Sequence, residues 1–155
     1  MYTKILVPMD GSDSSHRALS EAVKLAGLTK GSIRVIYIID EPAVFGMSGY
    51  FDPTAVREAM QEEAAKVLEE ARQTLAASSV AGETQVVESI DAGHDISHSI
   101  ATIAAEYGAD LVVMGTHGRR GVRHMVIGSV AERYVRLSTC PVLLIRADDG
   151  DASAS

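Results

Sequence analysis

Five short apolar runs rich in β-branched residues recur along the chain, and the stretches between them carry helical spacing. This alternation constrains the fold more than any other feature. "TKILVPMD" (3–10), "SIRVIYIID" (32–40), "ETQVVESID" (83–91), "ADLVVMG" (109–115) and "CPVLLIRA" (140–147) predict strands. Residues 11–28 place Ala18, Leu19, Ala22, Val23, Leu25 and Ala26 at helical spacing, and 53–78 reads as a long amphipathic helix. Residues 94–108 put Ile96, Ile100, Ile103 and Ala104 on one helical face, with Gly108 as the stop, and 128–138 predicts a last helix. Residues 41–53 hold two Gly and two Pro without any period and predict a loop. Strands joined by helices of this length lie parallel, through right-handed crossovers, in a sheet covered on both faces. The expectation is one α/β domain over residues 1–147, followed by a disordered acidic tail over 148–155.

Composition narrows the class. At 155 residues, 46% hydrophobic and 23% charged, the chain is of single-domain, globular type. Its net charge of −7 argues against nucleic acid as a partner of the general surface. No apolar run approaches the ~18 residues of a spanning helix, which argues against a membrane partner. Residues 1–30 lack a leader pattern. Cys140 stands alone, so there is no disulfide framework and no all-cysteine zinc site, and it is expected to be buried and inert. Together these features predict a cytoplasmic protein.

Within this acidic chain, "MGTHGRRGVRHMVIGSV" (114–130) concentrates four glycines, three arginines and two histidines. It leaves the carboxyl end of the fourth predicted strand and enters a helix. Ligands of open α/β sheets sit beyond the carboxyl ends of the strands, near the point where strand order reverses. Gly115, Gly118 and Gly121 permit positive φ and close backbone approach. Gly128-Ser129 opens the helix, whose unpaired N–H groups and positive dipole end favour an anion. Arg119, Arg120 and Arg123 add positive charge, and His117 and His124 read either as solvated loop histidines or as contacts to phosphate. The pattern reads as a phosphate cradle, although it is neither a P-loop nor a G-x-G-x-x-G fingerprint.

Asp10 ends the first predicted strand beside the expected switch point. There it can accept from a ribose hydroxyl or bind Mg²⁺ together with phosphates. Its alternative role is to cap the first helix, for which Ser12 and Asp13 also qualify. "HDISH" (94–98) imitates a zinc motif, but it reads more simply as a solvated first turn with Asp95 favourable at the dipole. His16 is expected on a helix surface. The Met and Tyr side chains of the 41–53 loop are candidates to close over a base.

The spacing Gly115-x2-Gly118-x9-Gly128-Ser129 resembles the ATP-binding signature of the universal stress protein family. "ILVPMDGSD", "GADLVVMGTHGRRG" and "GSVAERYV…CPVLLIR" are similar to that family as well, so the resemblance spans residues 2–146. It implies a Rossmann-like, adenine nucleotide alpha hydrolase-like fold: an open five-stranded parallel sheet of order 3-2-1-4-5 with helices on both faces. It also implies a homodimer paired through the last strand, Val142 to Ile145. By the same resemblance Asp10 faces the ribose and at times a metal, and the Ile38 backbone meets the adenine. Gly115 falls at the ribose, and Gly118, Gly128, Ser129 and Val130 fall at the phosphates. The candidate binding set is completed by Pro8, Met9, Met114, His117 and Arg119.

Two functional classes follow. One is a stress-response module that binds ATP, ADP or AMP, with Mg²⁺, and acts as a switch or adaptor. The other is a slow ATP hydrolase or phosphoryl-transfer enzyme. Asp10 and the arginines supply a metal site and charge for the second, but no residue is identifiable that orients a nucleophile, so no catalytic residue is assigned. A nucleotide-independent, chaperone-like dimer is the reading that an intact glycine signature opposes.

Overall fold

A computed structural model describes residues 1–40, 52–89, 95–117 and 127–147 of the chain. Strand β1 (Lys4–Met9) leads to helix α1 (Asp13–Thr29) and strand β2 (Ser32–Asp40). Helix α2 (Pro53–Ser78), strand β3 (Ala81–Ser89) and helix α3 (Ile96–Tyr107) follow. Strand β4 (Leu111–Gly115), helix α4 (Ser129–Leu137) and strand β5 (Val142–Ile145) complete the order. The five strands form one parallel sheet in the order β3-β2-β1-β4-β5.

The sheet's period-two alternation divides the core into two layers. Ile5, Val7, Ile33, Val35, Leu111 and Val113 face α1 and α2, meeting Ala18, Leu19, Ala22, Val67, Leu68 and Ala71. Leu6, Ile36, Val112 and Met114 face the opposite way, against Ile100, Ile103 and Ala104 of α3 and Ala131 and Tyr134 of α4. The central strands are therefore buried on both faces, which explains their near-continuous apolar sequence. Among the described residues, no helix is long and apolar enough to cross a membrane.

Chain order places the switch point between β1 and β4. β1 pairs with β2 over six positions, from Lys4↔Ser32 to Met9↔Tyr37, but with β4 only at Ile5↔Leu111 and Leu6↔Val112. Beyond Leu6 the two strands part, and Pro8 brings no N–H to extend that ladder. This parting opens the crevice that the rest of the site occupies.

The start of α1 falls two residues later than its spacing predicts. Gly11 takes φ +82°, and Ser12 is the N-cap, its hydroxyl accepting from the Ser15 N–H at 3.3 Å. Cys140 departs from expectation: it is half-buried rather than buried. It precedes an edge strand, where only one flank is covered, and the Ser138 hydroxyl donates to its carbonyl at 2.7 Å. The acidic tail predicted over 148–155 lies outside the described residues.

Candidate functional site

A cavity of about 610 Å³ lies over the carboxyl ends of β1 and β4. It brings together Pro8, Met9, Asp10, Ile38, Met114, Gly115, His117, Gly128, Ser129 and Val130 from the predicted set. Gly118 and Arg119 lie outside the described residues, as do Arg120, Gly121, Arg123, His124, His94 and the Met and Tyr side chains of 41–51. The volume falls within the ~300–1,000 Å³ of small-molecule sites.

The wall is chemically mixed. Ile36, Ile38, Ile96, Ile100 and Met114 give it an apolar portion suited to a flat ring, whereas Asp10, Ser12, Thr116, His117 and Ser129 give polar groups. Ser12, Ser15, Ile36, Ile96, Ile100, Thr116, Ile127 and Ala131 are wall residues that sequence reasoning did not single out as such. Ile96 and Ile100 were legible as an apolar helix face, but periodicity does not distinguish a face against core from one that also walls a cavity. A serine or threonine beside a strand end carries no such signal.

Asp10 serves the turn into α1. Its Oδ1 accepts from the Ser12 N–H at 2.9 Å and from the Ser12 hydroxyl at 2.5 Å, so the acidic residue holds the residue that caps the helix. Direct capping belongs to Ser12, and Asp10 supports it while lining the cavity. From there the network reaches the residue beyond β4: the Ser14 hydroxyl donates to the His117 carbonyl at 2.5 Å, and the Ser12 hydroxyl oxygen, whose proton serves Asp10, lies 3.3 Å from the same carbonyl.

Gly115 is needed for a different reason from the positive φ that the glycine pattern suggests. Among the described glycines, positive φ occurs at Gly11 and Gly108, not at Gly115. A Cβ at Gly115 would run into Ser14, reaching 2.9 Å from its backbone carbonyl carbon. The missing side chain lets β4 approach the first turn of α1.

Helix α4 opens directly on the cavity. Its N-cap, Gly128, supplies no side-chain hydrogen bond, whereas Ser12, Asp52 and Asp95 cap α1, α2 and α3 with side-chain oxygens. Gly128, Ser129, Val130 and Ala131 all line the cavity. The first-turn N–H groups and the positive end of the helix dipole are therefore available to an anion there.

Asp95, the N-cap of α3 and the neighbour of the lining residue Ile96, also receives Arg133 of α4 at 2.7 Å. The Ser97 hydroxyl and the His98 ring, with Arg133 and the His98 amide, hold its carboxyl well below the usual carboxylate range against the opposing effect of desolvation. This is the role that "HDISH" plays in its described part: His98 Nδ1 sits 3.1 Å from Asp95 Oδ1. Among the described residues, no group of three or more His, Cys, Asp or Glu is placed to hold a metal. His16 is partly exposed and lies 3.5 Å from Glu70 of α2.

The depressed acidity of Asp95 has a pH signature. A carboxyl whose folded pKa lies below its unfolded value, about 3.9, stabilises fully above that value and loses the contribution as pH falls towards the folded one. Asparagine still caps a helix but carries no charge. Asp95→Asn is expected to cost about 1 kcal/mol at pH 7, a figure kept low by the group's partial exposure, and less at pH 3, where the contribution has begun to be lost. Urea unfolding at the two pH values checks this, and a pH-independent difference would remove the charge as its source.

A parallel sheet that opens at its switch point onto a cavity, with the start of α4 in the wall, defines a Rossmann-like α/β domain. The chain belongs to the universal stress protein family: the sequence model of the Universal stress protein family matches residues 1–146. It is 34% identical to universal stress protein YxiE of Bacillus subtilis (strain 168), an alignment covering 94% of this chain and 100% of that one. A solved structure of a universal stress protein family member from Burkholderia pseudomallei is 34% identical, with a TM-score of 0.76 over 93% of this chain and 96% of that chain. The universal stress protein from Archaeoglobus fulgidus in complex with dAMP is 25% identical, with a TM-score of 0.68 over 93% of this chain and 98% of its own.

Proposed function

We propose that residues 1–147 form one nucleotide-binding domain that takes an adenine nucleotide in the cavity and acts as a nucleotide-dependent switch or adaptor in the cytoplasm. The observation that carries this reading is the uncapped N-terminus of α4 opening on a 610 Å³ cavity whose remaining wall is largely apolar. The dAMP complex of the Archaeoglobus fulgidus relative supports an adenine nucleotide as the ligand class. Gly128, Ser129 and Val130 would hold the phosphates, Ile38 and its apolar neighbours the base, and Asp10 the ribose or, with the phosphates, Mg²⁺. Gly115 and Gly118 complete the assignment by resemblance, and Arg119 would add positive charge beside the phosphates. When bound, Mg²⁺ neutralises phosphate charge. Copies of the chain would pair through β5.

A dedicated phosphoryl-transfer enzyme also needs a group that orients the nucleophile, and Asp10 is the one carboxylate of the cavity's described wall. Asp10→Asn tests the distinction, because asparagine keeps an acceptor for Ser12 while removing the charge. Affinity for Mg²⁺–ATP is expected to fall about tenfold, the scale of one charged hydrogen-bond partner. Hydrolysis per bound nucleotide, measured in single turnovers at saturating ATP, is expected to stay slow and within about twofold of wild type. A bound-state rate that collapses by orders of magnitude would identify an enzyme instead. Mass spectrometry of ligand released from the denatured protein tests the nucleotide class itself, and a non-nucleotide occupant would overturn it.

A further inference from the structure

Among the described residues, one buried side-chain polar atom has no hydrogen-bond partner, and it belongs to a residue of the cavity wall. His117 lines the cavity, and its Nε2 is buried without a hydrogen-bond partner among the described residues. Buried polar atoms are nearly always paired, so an exception calls for a partner. The other ring nitrogen, Nδ1, lies 2.8 Å from the Thr116 hydroxyl. Thr116 is itself buried and anchored, its N–H donating to the Ile145 carbonyl at 2.9 Å and its carbonyl accepting from the Gly128 N–H at 2.6 Å. The His117 carbonyl accepts from the Ser14 hydroxyl. The ring therefore hangs from a backbone fixed by β5, by the start of α4 and by the start of α1.

We propose that the missing partner of His117 Nε2 is an oxygen of the ligand's phosphate. His117 is then the residue by which this cavity distinguishes a phosphorylated nucleotide from its nucleoside. This rests on the nucleotide-binding reading above and adds the group that reads the phosphate. The chemistry fixes the tautomer. Phosphate oxygens accept, so Nε2 carries the proton; in a neutral imidazole Nδ1 is then an acceptor, and the Thr116 hydroxyl donates to it. Thr116 is the positioning residue, as a carboxylate or carbonyl is for a metal-bound histidine. His117 and the first turn of α4 both line the cavity, and the Gly128 N–H to Thr116 carbonyl bond ties their backbones together.

Calorimetric titration with adenosine, AMP, ADP and ATP tests the proposal on wild type, His117→Leu, His117→Gln and Thr116→Val. Wild type is expected to bind each nucleotide more tightly than adenosine. His117→Leu should lose about ten- to a hundredfold in affinity for the nucleotides, the range of a charge-assisted hydrogen bond, with adenosine changed less than about twofold. His117→Gln, which retains an N–H donor, should recover most of the loss, and Thr116→Val should show a smaller loss confined to the nucleotides. In wild-type protein, the ¹⁵N signal of His117 Nε2 should move on addition of ADP and not of adenosine, a readout that needs no variant to fold. Equal losses for adenosine and ADP would make His117 a structural support and overturn the proposal. Adenosine binding as tightly as ADP to wild type would overturn it while leaving the base-binding cavity standing. Binding of none of the four ligands would overturn the nucleotide reading as well.

Discussion

A Gly128→Val protein is expected to bind adenine nucleotide at least about a hundredfold more weakly than wild type, equivalent to about 2.7 kcal/mol, while retaining its sheet. Backbone conformation is not the reason, since φ −59° and ψ 155° suit any residue. Space is the reason. A Cβ at Gly128 would lie 2.9 Å from the Thr116 carbonyl oxygen and 3.6 Å from the His117 Cα. That carbonyl accepts from the Gly128 N–H at 2.6 Å, so backbone meets backbone and neither can yield cheaply. The first turn of α4 must retreat from the end of β4, separating the two sides of the proposed phosphate site. The sequence pattern alone suggests a simpler mechanism, in which the new side chain fills the cradle; the direction of the Cβ replaces this with displacement of the helix. Ala131 and Tyr134 remain buried against the sheet and keep α4 docked, which is why the fold is expected to survive. Calorimetry with ADP beside far-ultraviolet circular dichroism checks the result. Unchanged affinity in a folded variant would remove the start of α4 from the site.

The architecture was legible because its signals are redundant. Pro53 at the start of α2, behind Asp52 as cap, sets a boundary that sequence and structure share, as does Gly108 after α3. Where boundaries moved, a specific contact moved them. β3 begins at Ala81 rather than Glu83 because Ser79, at φ 58°, ends the helix and the ladder Ser32↔Ala81 forms at once. Nothing in the small residues Ala81 and Gly82 advertises a strand; pairing with β2 imposes it. In the site, glycines announce close approach but not what approaches. Gly115 makes room for Ser14 and Gly128 for Thr116, both within the protein. Thr116 carries no sequence signal because its importance lies in three non-local or ring hydrogen bonds, to Ile145, Gly128 and the His117 ring, which no local pattern encodes.

Leu143→Asp is expected to convert a homodimer into a monomer at micromolar concentration. The two edges of the sheet differ in how they meet solvent. β3, nine residues long, carries Glu83 and Glu88 on exposed positions, and such charges blunt an edge against pairing. β5 is "VLLI", with no charge, and Leu143 is 37% exposed. The preceding helix adds Val135 and Leu137, 47% and 37% exposed. An uncharged edge strand with apolar neighbours is a liability unless another chain covers it. A second copy would satisfy it by presenting the same edge about a twofold axis, and each substitution would then enter the interface twice. Removing a carboxylate from water without a partner costs several kcal/mol, so a dimer constant raised at least about a hundredfold is the expected effect of the pair. The monomer should keep its fold, because Leu143 belongs to neither buried cluster, and should still bind nucleotide, because one chain supplies the whole described cavity. Multi-angle light scattering of both proteins decides the matter. A wild-type monomer would refute pairing through β5, and a variant that remains dimeric would move the interface to another face.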